Sequence, residues 1–428
     1  MSIVRKEKFI FVESAENHNK FWYIEEHDNG LIKTIWGRVG NKESTSEKQF
    51  GSNAGKEYDK LVKSKLKKGY TRLQTLDSEI TFTSGGGISK QSLESIALSE
   101  IDYDKANDTI TKMIKTFCAE NIHTITANTS ITFNSDTNVF QTPCGIVTIE
   151  SINDARDILS EIAVFVEQRD ICATFIKKTE EYCTLIPQKI KGKFDPCSLF
   201  FNMHDVNRQS DILDSLEDSI KIINDLKESD PDKKTKMFNT SIKEVVDSEV
   251  INQIKKLYQK THQNTHACRG LTVKRVFEIN IDHMNTAYSA LRTEWTDKKK
   301  RKNTKSLWHG TKKSNIISIL KNGFIIPPSN AKHVVGRMFG NGIYFSDQST
   351  KALNYAYGWW SGSRDSNCYM FLCDVMLGTS YTPSGSCSAI PNGYDSIFAK
   401  AGKSGVQNNE MIVMPNQVNP KYLIEFGE

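Results

Sequence analysis

The hydrophobic period of this sequence changes twice. Residues 1–76 alternate apolar and polar in short runs, KFIFVE, NKFWYIEE and LIKTIWGRVG. From about 96 to 230 the apolar residues recur at i, i+3, i+4 and i+7. Beyond that, short strand-like runs return. A period of two suits one face of a sheet and a period of 3.6 one stripe of a helix, so one packed layer cannot use all three stretches. The expected fold is multidomain α+β. A small antiparallel β domain with a helix spans 1–76, a flexible linker 77–95, an all-α helical bundle 96–230, and a mostly antiparallel β domain 231–428.

Local signals sharpen this division. HDNG separates NKFWYIEE from LIKTIWGRVG and is a strong hairpin signal. KEYDKLVKSKLKKGY spaces Tyr58, Leu61, Val62 and Leu66 for a helix that Gly69 should stop. SGGGISKQS has linker composition. Four helical stretches follow, TITKMIKTFCAENI, INDARDILSEIAVFVEQ, ATFIKKTEEYCTLI and RQSDILDSLEDSIKIINDL. SIND reads as a cap for the second and SDPD as a stop after the last. A further helix, SEVINQIKKLYQKTH, precedes the strand-like runs LTVKRVFEINI, SLWHG, GIYFS, CYMFLCDVML, MIVM and KYLIEF. No repeat of fixed period is visible.

Several function classes are disfavoured. No stretch approaches the roughly 18 apolar residues of a membrane span, and MSIVRKEKFIFVES has too short an apolar run for a secretory signal. An intracellular protein is expected. The nine cysteines are odd in number and scattered with no CxxC, so no zinc site is indicated and buried free thiols are expected. The net charge of +5 is uneven: residues 1–76 hold 15 Lys/Arg against 10 Asp/Glu, and the rest of the chain balances. A polyanion is the natural partner for the first domain.

The candidate chemistry lies in the last third. MFGNGIYFSDQSTKALNY sets two glycines, Gly340 and Gly342, beside Tyr344, with Tyr355 eleven residues on. The GxGxxG dinucleotide fingerprint does not fit. His309 in LWHGT and Glu410 in NNEMIVM complete a polar set that several strand ends could gather around one pocket. Taken singly, a histidine such as His309 is more often a packed core residue and a glutamate such as Glu410 more often a solvated one. His262 and His266 stand at i, i+4, a spacing open to metal ligands or to a structural role.

In combination these residues resemble the poly(ADP-ribose) polymerases, in particular the DNA-dependent members. The family's His, Tyr and Glu on three strands match LWHGTKKSN, MFGNGIYFSDQSTKALNY and NNEMIVMPNQVNPKYLIEF, and THQNTHACRGLTVKRVFEI looks like the segment that opens its catalytic domain. TEEYCTLIPQK and DILDSLEDSIKII look like its autoinhibitory helical domain, and IWGRVG carries its Trp-Gly-Arg motif. The resemblance implies a WGR DNA-binding domain, a helical regulatory domain and an ADP-ribosyltransferase domain in that order. It implies NAD+ as a consumed substrate, with no metal and a structural role for His262 and His266. Tyr344 and Tyr355 would sandwich the nicotinamide ring. The Gly310 backbone would bind its carboxamide, and His309 a ribose hydroxyl. Thr311, Asn315 and Lys351 would complete the NAD site, Glu410 would hold the 2-hydroxyl of the nicotinamide ribose, and Met338 would mark the acceptor site. His309, Tyr344 and Glu410 form the implied catalytic set. Trp36 and Arg38 would contact a DNA strand break.

The sequence departs from the family pattern in two ways. Ala352 stands where a serine usually donates to the carboxamide, and the segment between LCDVMLGTSY and Glu410 is short where polymer-forming members have a long loop, with Asn408 where a tyrosine is common. The first implies a weaker complex with NAD+. The second argues against polymer formation, while Glu410 and Met338 argue for it. The expected activity is therefore break-stimulated transfer of ADP-ribose, as a polymer or short oligomer, to proteins, itself included, in DNA repair. The alternatives are mono-transfer, or a DNA-end-binding scaffold with weak catalysis. An accessory protein completing the active site, as in some relatives, stays open. KKKRK at 298–302 reads as a nuclear import signal or a charged surface loop. A nuclear location is expected in a eukaryotic host, and a cytoplasmic one otherwise.

Overall fold

A computed structural model describes residues 2–39, 41–72, 93–134, 139–142, 145–190, 192–228, 236–326, 338–362 and 364–428. Residues 77–92 of the expected 77–95 linker and the SDPD stop at 229–232 lie outside the described residues, and the helix Leu93–Glu100 takes up the linker's last three positions. The chain divides into two compact units, residues 1–90 with 123–223 and residues 91–122 with 224–428.

In the first unit the alternating runs form a five-stranded antiparallel sheet. Its order is Ser44–Gln49, Leu31–Arg38, His18–His27, Ile3–Glu13, Thr71–Arg72. The HDNG hairpin closes with Gly30 at φ +76°, its N–H donating to the His27 carbonyl at 2.9 Å. A methyl group on Gly30 would lie 2.5 Å from Gly51 Cα, so no other residue fits this turn. The helix Ala54–Lys67 lays Tyr58 and Val62 on Phe9, Trp22, Ile24 and Ile32, and Gly69 follows it at φ +84°.

The helical segment of this unit includes Ile149–Gln168, Ala173–Leu185 and Met203–Glu228. The cap of the first differs from the SIND reading. Thr148 is the N-cap, and Ser151 returns its hydrogen bond from N3, because this reciprocal pair satisfies two open backbone donors. Arg156 is sealed between Asp214 at 2.6 Å and Glu217 at 2.8 Å. A small sheet, Thr132–Asn134, Val139–Thr142 and Gly145–Ile146, interrupts the helices; its strands are too short to carry a readable period.

The second unit is built on two sheets. One is antiparallel throughout, ordered Thr304–Gly310, Cys368–Met376, Val418–Gly427, Thr272–Ile281, Thr240–Glu244. The other is ordered Ile343–Phe345, Glu410–Val413, Ser396–Ala399, Ser380–Tyr381, with only its last pair parallel. Trp308 and Ser346 exchange both backbone hydrogen bonds, at 2.9 and 3.0 Å, and so couple the first strand of one sheet to the end of the other. CYMFLCDVM reads as a continuous apolar run because both its faces are covered. Tyr369, Phe371, Cys373 and Val375 face one core, and Cys368, Met370 and Leu372 face the other. Phe117, from the helix Asp108–Asn128, meets Tyr369 edge-on at 4.9 Å.

The helix Ser349–Tyr357 was not foreseen among the strands of this third. Seven of its nine residues are buried, so it offers no apolar stripe to read.

Candidate active site

The backbone bridge from Trp308 to Ser346 sets His309 beside Tyr344. His309 Nδ1 donates to the Tyr344 carbonyl at 2.9 Å, which leaves Nε2 as the basic nitrogen. Phe324, Phe345 and Phe371 surround the imidazole at 4.6, 5.5 and 6.5 Å. Burial pushes it down to about 4, against the pull of the carbonyl, so it is neutral at pH 7. The next residue, Gly310, tolerates no side chain: a methyl group would sit 1.8 Å from the Ala352 carbonyl oxygen. Asn315 then reaches back to Thr311 Oγ1 at 3.3 Å.

Gly340 serves Tyr344. Its hydroxyl donates to the Gly340 carbonyl at 2.8 Å and accepts from the Phe339 N–H at 3.1 Å. Gly340 takes φ +80°, and a methyl group there would lie 2.2 Å from the Ser388 carbonyl oxygen. The loop is thereby folded back onto the ring it precedes. Tyr344 pairs with Ile412, two residues beyond Glu410, so the pleat turns Glu410 to the same face.

From the helix Ser349–Tyr357 come Lys351, Ala352 and Tyr355. The Lys351 ammonium is bound to the Glu410 carboxylate, with both side chains largely buried. Burial lowers the proton affinity of Lys351, and Glu410 opposes that shift. Tyr355 is 38% exposed, and its ring lies 5.9 Å from that of Trp360. Burial, then Glu410 and Tyr344, push its phenol up. Ala352 is buried.

A cleft of about 720 Å³ collects Met338, Lys351, Tyr355, Asn408 and Glu410. His309, Gly310, Thr311, Asn315 and Tyr344 do not line it. Sequence reasoning missed several contributors. His266, given a structural role, is in its wall, and Trp359 and Trp360 form another part, with the Arg364 guanidinium 5.9 Å from the Trp359 ring centre. The two tryptophans follow a positive-φ Gly358 in a single turn, which carries no periodic signal. Among the described residues, His262 and His266 do not share a ligand cluster: His262 binds the Arg269 carbonyl at 2.9 Å and His266 the Thr350 hydroxyl at 2.8 Å.

In the N-terminal sheet, Trp36 is 38% exposed opposite buried Trp22. Arg38 is not free for solvent. It donates to the Asn17 carbonyl at 2.9 Å, to Asn17 Oδ1 at 2.8 Å and to the Gly192 carbonyl at 3.0 Å. The KKKRK run forms a short surface helix, Lys298–Lys302, with Lys300 paired to Asp395 at 3.0 Å.

Three family models match the chain in succession: a WGR domain at residues 6–76, a poly(ADP-ribose) polymerase regulatory domain at 105–258 and a poly(ADP-ribose) polymerase catalytic domain at 248–427. A putative poly [ADP-ribose] polymerase-like protein 100L of Invertebrate iridescent virus 6 is 36% identical over 135 residues, which are 29% of this chain and 71% of the viral protein. The chain belongs to the poly(ADP-ribose) polymerase family. Poly [ADP-ribose] polymerase of Sarcophaga peregrina is 28% identical over 298 residues, 66% of this chain and 28% of that protein. Poly [ADP-ribose] polymerase 1 of Gallus gallus is 30% identical over 248 residues, 56% of this chain and 23% of that protein. The chain thus spans about a quarter of the length of these two polymerases.

Proposed function

We propose that this member of the poly(ADP-ribose) polymerase family cleaves NAD+ and transfers ADP-ribose to protein acceptors, itself included, and that DNA strand breaks stimulate it. The observation that carries the reading is the buried Lys351–Glu410 pair in the wall of a cleft beside Tyr355. A cation-held carboxylate next to an aromatic ring suits a reaction in which a sugar becomes positively charged.

The residues present fit the substrate. Gly310 leaves its backbone open to close approach by a flat amide, since even a methyl group there collides. Tyr344, held by its hydroxyl, and Tyr355 would take the nicotinamide ring, with stacking worth about 0.5–1.5 kcal/mol per pair. Neutral His309, with Nε2 unprotonated, can accept from a ribose hydroxyl. Glu410 would accept from the 2-hydroxyl of the nicotinamide ribose. Such hydrogen bonds strengthen as the ring takes on oxocarbenium character and supply several kcal/mol, and the carboxylate stabilises the developing cation. Lys351 holds Glu410 in place until the substrate engages it.

For DNA, the matched WGR domain exposes a flat Trp36 face, and Arg38 reaches from that domain to the loop at Gly192 ahead of Phe194. A DNA end that engages Trp36 or Arg38 would pull on this connection and bias the helical segment, provided that DNA binds the two states unequally. Glu410 and Met338 in one cleft favour an oligomeric or polymeric product. The exposed basic helix at 298–302 supports a nuclear role in a eukaryotic host.

The test is automodification with labelled NAD+, with and without nicked DNA, for wild type and Glu410→Gln. A DNA-dependent smear lost in the variant is expected. A sharp DNA-dependent band would mean mono-transfer, the product that Asn408 favours. Absence of label with DNA still bound would reject the transferase reading.

A further inference from the structure

The basic run KKKRK is not used by the chemistry above, yet the fold fixes it in place. Its helix, Lys298–Lys302, is anchored by two of its own cations. Lys300 pairs with Asp395 at 3.0 Å, and its ammonium lies 5.4 Å from the Trp295 ring centre. Arg301 donates to the Thr293 carbonyl at 3.1 Å and to the Trp295 carbonyl. The two acids that touch the helix are already engaged. Asp297 caps it by accepting from the Lys299 N–H at 2.8 Å, and Asp395 also accepts from the Thr379 N–H at 2.7 Å.

The remaining cations are free to act outward. Lys298, Lys299 and Lys302 are exposed and form no ion pair among the described residues. Lys298 and Lys302 stand at i, i+4, where like charges cost stability unless an anion lies against them. Lys305 adds a fourth ammonium. It is exposed near the start of the strand Thr304–Gly310, 5.4 Å from the Phe398 ring centre. Phe398 belongs to the strand Ser396–Ala399, which begins beside Asp395 and ends with Ala399 paired to Glu410. Four residues of strand span about 13 Å. The basic surface thus starts beside one end of this strand, and Glu410 lies at the other. None of these lysines lines the cleft.

We infer that this surface binds the ADP-ribose polymer made by the protein itself. Every unit of such a chain carries the diphosphate of NAD+, so the product is a linear polyanion. Unpaired ammonium groups bind a polyanion through phosphate contacts and the release of its counterions. Charge complementarity selects the class of partner, and position selects the product over DNA. The lysines share a short strand with Glu410, whereas Trp36 and Arg38 belong to the other compact unit. A chain growing from the cleft reaches the lysines within a short length, and holding it there keeps its growing end near the site.

The inference rests on the proposed transferase function and on a polymeric product, and the test keeps binding and catalysis apart. Purified, size-fractionated ADP-ribose polymer and nicked duplex are each titrated with the full chain over a range of salt. Wild type is compared with a variant that combines Lys298→Gln, Lys299→Gln, Lys302→Gln and Lys305→Gln. The variant should bind polymer about tenfold or more weakly, with the slope of log affinity against log salt reduced by roughly three. Arginine at the same four positions should bind as wild type does, because the surface supplies charge. At equal nicotinamide release, the glutamine variant should attach shorter chains to itself. Unchanged polymer affinity would overturn the proposal. So would a loss confined to nicked duplex, which would make the surface a DNA contact. Attachment of single ADP-ribose units only, by wild type, would overturn it and leave the transferase function standing. No nicotinamide release by wild type would reject that function, and with it the product for this surface to hold.

Discussion

Lys351 and Glu410 are bound to each other with both side chains largely removed from water, one from a helix and the other from the start of a strand in a separate part of the sequence. The pair joins stability to chemistry. A buried ion pair contributes little net stability over an apolar pair, yet breaking it leaves a buried charge uncompensated. Lys351→Met should therefore destabilise the protein by about 3–5 kcal/mol. The double variant Lys351→Met with Glu410→Gln should recover much of that loss. Urea denaturation of the three proteins checks the order.

The neutral His309 makes stability depend on pH. Its folded value of about 4 lies below the 6.5 of an unperturbed imidazole, so between these limits the unfolded chain binds a proton that the folded chain does not. Stability should thus fall as pH drops from 6.5 to 4, by at most about 3 kcal/mol from this residue. Denaturation midpoints of wild type and His309→Gln at pH 7 and 4.5 measure it. The difference between the two proteins should shrink at the lower pH.

Restoring a hydroxyl at position 352 should tighten the grip on the carboxamide. Ala352→Ser adds one donor next to Gly310, worth about 0.5–1.5 kcal/mol. Nicotinamide-like inhibitors should then bind roughly three- to tenfold more tightly. Titration calorimetry with benzamide reads the change directly.

Asn17 ties Arg38 to the helical segment. It sits at φ +58°, accepts twice from Arg38, and accepts from the Phe194 N–H at 2.8 Å through the same Oδ1. Asn17→Gly keeps the left-handed backbone available and removes only the side-chain link. The variant should bind nicked DNA with little change but lose most of its DNA stimulation. Fluorescence anisotropy and automodification, run on one preparation, separate the two effects.

Gly310→Ala places a methyl group 1.8 Å from the Ala352 carbonyl oxygen. The strand end or the helix Ser349–Tyr357 must move. A rise of at least tenfold in KM for NAD+ is expected, with a smaller change at saturation. Steady-state nicotinamide release checks it.

Much of this was written locally. The alternation of KFIFVE and NKFWYIEE, the Asn-Gly turn and the spacing of Tyr58 and Val62 fix the first sheet and its helix, because these patterns depend on neighbours in sequence. The long helices of the middle segment were legible for the same reason. The glycines around Tyr344 could be noted from sequence, but their purpose could not. Only the folded chain shows Gly340 returning a carbonyl to the hydroxyl of Tyr344.

What the sequence alone determined is the type and order of the elements and, through its motifs, the family. The tertiary structure decided which polar groups meet. Lys351 and Glu410 are 59 residues apart, His266 and Asn408 are 142 apart, and Arg38 and Gly192 are 154 apart. No periodicity reports such pairs. A helix with seven of its nine residues buried, such as Ser349–Tyr357, or a turn such as that carrying Trp359 and Trp360, leaves no amphipathic trace. Long-range contacts arise from packing of whole elements, and a polar side chain takes its charge state and partner from the burial that results.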